Sequence, residues 1–154
     1  MQLLEKEFVR LLQRVKMSNK RNIRDLEKQR AEFAYDKVEE FVSENGKNSK
    51  KSKEYKSYVK KIPSLIQTNG LAATFAFMYS KKGTYDVIYR QVEEWLKNER
   101  EIKKDKEELV RWVINLSSSE YRRVTNEVMG LFVWLRRFAE GMIEKDENGK
   151  EKEE

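Results

Sequence analysis

The stretch that decides the fold is SSSEYRRVTNEVMGLFVWLRRFAEGMI, residues 117–143. Tyr121, Val124, Val128, Leu131, Leu135, Phe138 and Met142 recur three or four residues apart, the spacing of one buried helical stripe. Phe132, Val133 and Trp134 widen that stripe almost to the full circumference. Such a helix belongs in the middle of something, either a bundle core or a core plus a partner surface. Ser117 with Glu120 three residues on has the form of a capping box and marks the start. Arg122-Arg123 and Arg136-Arg137 lie near the two ends, where guanidinium groups reach the surface.

Outward from this segment the chain reads as all-α, a single-domain bundle of about six helices. No stretch alternates with a period of two, and one proline and six glycines leave few places to turn. Residues 2–16 set Leu4, Phe8, Leu11, Leu12 and Val15 on one face, and read as an N-terminal extension helix. Residues 19–43 do the same with Ile23, Leu26, Ala31, Phe33, Ala34, Val38, Phe41 and Val42. Residues 44–49 hold an Asn-Gly turn. A short lysine-rich helix over 52–61 is expected to stop at Pro63, which suits the first turn of a further helix over 63–82. Asn69-Gly70 conflicts with that helix, because the pair usually marks a turn. Thr84 can cap a helix carrying Tyr85, Ile88, Val92, Trp95 and Leu96. Residues 97–104 read as a loop or a frayed helix end, and Asp105 with Glu108 as a cap for a helix carrying Leu109, Trp112, Val113 and Leu116. The bundle spans 1–143, and the charged tail 144–154 reads as disordered.

The composition excludes much chemistry. The 154 residues contain no cysteine and no histidine. Disulfides, thiol catalysis, thiolate–zinc sites and Ser-His or Cys-His mechanisms are thereby closed. No Asp cluster of the calcium-loop kind is present, nor a phosphate-cradling glycine loop. No cofactor or metal is expected. Glu127, set inside an apolar run, is the one notable carboxylate. Its position four residues after Arg123 reads as an intrahelical ion pair rather than a catalytic acid. The start mixes acids into its apolar positions and no apolar run is long enough to span a bilayer, so a cytoplasmic protein without a membrane partner is expected.

The net charge is +6, and it is uneven. Residues 144–154 hold six acidic and three basic residues, so the first 143 carry +9. A basic body of this size attracts polyanions, nucleic acid foremost. Lys47, Lys50, Lys51, Lys53, Lys56, Lys60 and Lys61 cluster around one loop and the helix after it. Lysines so placed follow a phosphate backbone without reading bases; they equally make an ordinary solvated face. Tyr55 and Tyr58 lie among them, but share the apolar side and read as core. A second basic group, Lys16, Lys20, Arg21, Arg24, Lys28 and Arg30, is diluted by Asp25, Glu27 and Glu32.

Two motifs carry a resemblance. Residues 63–77, PSLIQTNGLAATFAF, and residues 121–127, YRRVTNE, followed by Leu131 and by residues 134–141, WLRRFAEG, are similar to the small all-helical subunit of the type III-B CRISPR effector, the Cmr complex. Tyr85 and Trp95-Leu96 fit between the motifs, and Gln29-Arg30-Ala31 with Ala34 fit before them. The likeness covers about residues 19–143, so 1–16 lie outside it. It implies a non-catalytic assembly subunit whose copies stack into a filament beside the subunits that hold the guide RNA. Its partners would be guide and target RNA and the other Cmr subunits. Base pairing then reads sequence, and the protein needs only a basic surface shaped for a backbone. The candidate RNA contacts are Arg21, Arg24, Lys53, Lys56, Lys60, Arg122, Arg123, Arg136 and Arg137. Three rival readings stand beside this one: a helical DNA-binding regulator, a helical scaffold that binds only protein, and an enzyme, which would need a pocket with a perturbed carboxylate.

Overall fold

A computed structural model describes the backbone of residues 2–145, and the side chains of these except residues 18–22. The described residues form six α-helices and one π-helical turn, with no strand. The all-α bundle expected from the periodicity is therefore observed.

Helix α1 runs unbroken over Gln2–Asn45, where two helices were expected. The polar stretch between the apolar stripes holds neither glycine nor proline, so nothing interrupts the backbone hydrogen bonding. Its two parts nevertheless differ. Residues 2–17 are exposed throughout, whereas Phe33, Ala34, Val38 and Phe41 are core.

Helix α2, Lys50–Asn69, is capped by Ser49, whose side chain accepts from the Ser52 amide. It runs straight through Pro63, which was expected to divide it. Proline cannot donate to the carbonyl four residues back. Here Tyr55 and Val59 before the proline and Ile62 and Ile66 around it are buried as one continuous stripe, and that packing outweighs the lost bond. The break falls instead at Gly70, between α2 and α3 (Leu71–Lys81), so the expected helix over 63–82 is two elements. Gly70 has φ 86°, a conformation that glycine adopts without a steric penalty. The Tyr121 hydroxyl lies 3.2 Å from where a Cβ would sit, and it accepts from the Ala72 amide at 3.0 Å. The Ala72 amide in the first turn of α3 is thus satisfied from across the bundle.

Helix α4 spans Thr84–Glu94 and passes into the π turn Trp95–Glu99. Thr84 makes no cap bond; its hydroxyl donates to Glu54 across the bundle at 2.9 Å. Helix α5 is Leu109–Ile114. The expected Asp105 cap serves the preceding loop, accepting from the Glu107 amide at 3.0 Å. Helix α6, Ser118–Met142, starts under Ser117, whose hydroxyl oxygen accepts from the Glu120 amide, as expected. Its last turn is fixed where the Glu144 amide donates to the Lys47 carbonyl at 2.9 Å. Residue 144, placed in the tail by composition, is therefore tied to the bundle; residues 146–154 lie outside the described residues.

The core is α6 against α1 and α2, closed by α3 to α5. Trp95, Tyr55, Tyr89, Phe75 and Phe132 are fully buried within it. Tyr55 stacks on Phe41 at 4.5 Å, and Tyr58 stacks on Tyr85 at 3.8 Å. Both tyrosines of the lysine-rich helix are therefore packing residues. Burial raises the Tyr55 phenol far above its ordinary pKa while it donates to Gln91 at 2.7 Å.

Candidate nucleic-acid interface

The lysines of α2 are ordered by the same periodicity that buries its tyrosines. At about 100° per residue, Lys53, Lys56 and Lys60 fall within about 60° of one another around the helix. Glu54, Tyr55 and Tyr58 engage α4 from a different flank. Lys60 is exposed and Lys53 and Lys56 are half-buried. Lys50 and Lys61 are exposed beside them.

Helix α6 runs antiparallel to α2. Tyr121 at its start meets Gly70 at the end of α2, and Glu144 meets Lys47. Level residues therefore have numbers adding to about 191, which sets Lys56 beside the Leu135–Arg136 turn. All four arginines of α6 are exposed. Arg136 and Arg122 lie two heptads apart, about 21 Å along the axis, on the outward face nearer Tyr121 and α2. Arg123 and Arg137 lie nearer the flank that carries Glu127, Gly130 and Trp134 to α1. Arg136 also donates to Glu140 at 3.2 Å. Three lysines and Arg136 are thus brought to one edge, Arg122 continues it, and Arg123 and Arg137 face another side. Arg24 is exposed on α1, away from that edge. Arg21 is helical in its backbone, and its side chain lies outside the described residues.

The expected Arg123–Glu127 pair is not what forms. Glu127 is 7% exposed and turns toward α1 and the loop after the π turn. Arg100 donates to both of its oxygens, at 3.1 and 3.3 Å, and Arg30 donates at 3.4 Å. Arg30 also grips Glu27, whose carboxylate accepts from the Trp134 indole at 2.9 Å. The indole hydrogen bond and Arg30 hold the Glu27 carboxyl below its ordinary pKa. Gly130 makes room for this cluster: a Cβ there would stand 2.7 Å from Cζ of Arg30. Arg30 therefore leaves the basic surface and becomes an internal clasp. Sequence reading missed the cluster because its members lie about a hundred residues apart. A glycine in the middle of an apolar helix was the available signal.

Lys103, in the charged run 97–104, is 1% exposed, and its ammonium donates to the Asp105 carboxylate at 3.0 Å. Among the described residues no group of acids could hold a metal ion, and no helix is long and apolar enough to cross a membrane.

These observations define a small helical bundle with cationic outer edges. The chain matches the family described as CRISPR-associated protein (Cas_Cmr5) over residues 26–142, and it belongs to that family. It is 28% identical over 116 residues to the CRISPR system Cmr subunit Cmr5 of Thermus thermophilus, covering 75% of this chain and 93% of that protein. The crystal structure of a CRISPR-associated Cmr5 family protein from the same organism superposes with TM-score 0.63 at 27% identity, over 77% of this chain and 97% of that one. The resemblance carried by the two motifs thus holds, and α1 up to residue 25 precedes the family match.

Proposed function

We propose that this chain is a non-catalytic structural subunit of a type III-B Cmr effector, laid along the guide–target duplex in the cytoplasm. The observation that carries the reading is the α2–α6 edge, where Lys53, Lys56, Lys60 and Arg136 gather on a member of the Cmr5 family. Cations on a rigid helical edge can neutralise successive phosphates without contacting bases, and sequence is left to base pairing. Arg122 extends the edge; Arg123, Arg137 and Arg24 are secondary contacts on other faces, and Arg21 is a further candidate. Stacking of copies into a filament would use heterologous surfaces, and exposed Val133 on α6, at 58% exposure, is one place for it.

The DNA-regulator reading needs a free recognition helix. The short helix α4 is a poor one, because Arg90 is held by Asp86, Glu93 and Glu108. The test is Lys53→Glu, Lys56→Glu and Lys60→Glu together, assembled with the other Cmr subunits. Target-RNA capture is expected to fall by at least tenfold, with a shallower salt dependence, while the thermal unfolding midpoint of the isolated chain holds. Assembly with unchanged RNA capture would favour the protein-only scaffold instead.

A further inference from the structure

The first part of α1 carries an apolar stripe that nothing in the bundle covers. Leu4 is 72% exposed, Phe8 61%, Leu11 57% and Val15 50%. Their spacing of four, three and four confines them to about 60° of the helix surface. Leu12, 45% exposed, widens the stripe on one side to about 100°, and the four residues at its centre have the spacing of a coiled-coil seam. The seam precedes the family match, which begins at residue 26, so it is an addition of this chain to the shared bundle.

The charges beside the seam indicate what covers it. Glu7 and Arg14 lie on one flank, and Glu5 and Leu12 on the other. When two such helices pair antiparallel, equivalent flanks face each other. Registered about the point between residues 9 and 10, Leu4 meets Val15 of the second copy and Phe8 meets its Leu11. In that register Glu7 faces Arg14 of the second copy, and Arg14 faces its Glu7. Parallel pairing would set Glu7 near Leu12 and leave Arg14 without an acidic neighbour.

We propose that residues 2–17 form an antiparallel two-helix coiled coil with the same segment of a second copy of this chain. The contact is isologous and closes on itself, so it joins two bundles end to end and does not propagate. It is distinct from the heterologous stacking named above, and it stands or falls without RNA or other Cmr subunits. A seam of about two heptads is short, so the pairing is weak and concentration-dependent.

The experiment is sedimentation of the full chain from micromolar to near-millimolar concentration. A monomer–dimer equilibrium is expected, and Leu11→Asp is expected to abolish it. Glu7→Arg and Arg14→Glu alone should each weaken pairing about tenfold or more, because every change acts in both symmetric pairs. The two together should restore it. The chain has no cysteine of its own, so Leu4→Cys with Val15→Cys should give an intermolecular disulfide that Leu4→Cys alone does not. A monomer at all concentrations, dimers indifferent to Leu11→Asp, or crosslinking by Leu4→Cys alone would each overturn the proposal.

Discussion

The two parts of α1 are one helix with two fates. Before residue 18 its leucines, phenylalanine and valines stand in solvent; from Leu26 onward the same residue types are half-buried or core. Helical periodicity is present in both, so periodicity alone does not bury a face. What separates them is the presence of charged and aromatic anchors that reach α6. Glu27 accepts from Trp134, Arg30 binds Glu127, and Tyr35 meets Phe138 edge-on at 5.3 Å. The projecting part makes no such contact among its described side chains. Apolar surface supplies the gain on burial, and these polar ties fix where along α6 the helix docks.

That view is broken most directly at Glu127. Removing its carboxylate leaves Arg100 without its acid and Arg30 with Glu27 alone. Losing one partner of a buried ion pair typically costs about 3–5 kcal/mol. Glu127→Ala is therefore expected to lower the denaturant midpoint sharply, while Glu127→Gln should recover part of the loss by keeping one acceptor. If Glu127→Ala unfolds like the parent, the clasp does not secure α1, and burial of Phe33 and Val38 alone would explain the docking.

Much of this was legible in the chain. Every helix that ends in the core has its buried stripe in the sequence, and Ser117 opens α6 as its spacing indicates. The errors have local causes. The local preference of Pro63 predicts a helix start, but Val59, Ile62 and Ile66 pack across it and override that preference. The periodicity over 63–82 runs through Gly70, and only the Asn-Gly pair signals a break; the Tyr121 hydroxyl that stabilises it comes from 51 residues away. Helical spacing points Glu127 to Arg123, whereas Arg30 and Arg100 arrive through tertiary packing. The basic edge was legible only as a list of cations: α2 and α6 had to be set antiparallel before Lys56 could stand beside Arg136.

A smaller effect sharpens the comparison through pH. Glu27 has its pKa lowered in the folded state by the Trp134 indole and Arg30. A depressed carboxylate contributes stability above its unfolded pKa and loses it as pH falls through the folded value. The loss should therefore develop below the ordinary carboxylate range. Glu27 is half exposed, with side-chain exposure 47%, so the contribution is under about 1 kcal/mol. Glu27→Gln should flatten the acid limb of stability against pH by that amount. An unaltered limb would mean that the indole contact positions Trp134 without favouring the charged carboxylate.

The smallest effect is expected where the sequence looks most hydrophobic. Phe8 and Phe75 are the same residue in the same kind of helix, but Phe8 is 61% exposed and Phe75 is 0% exposed. Phe75→Ala removes a ring packed against Tyr89 and should cost about 3–5 kcal/mol. Phe8→Ala, measured by denaturant at low protein concentration, should stay within about 0.5 kcal/mol of the parent. Repeating both at high concentration separates the two regions. Phe75→Ala should lose the same amount at either concentration. Phe8→Ala should lose only the increment by which association stabilises the parent, since binding to the folded state raises apparent stability by mass action. A concentration-independent loss at Phe8 would show that residues 2–17 fold against the bundle rather than projecting from it, and would remove the distinction between the two parts of α1.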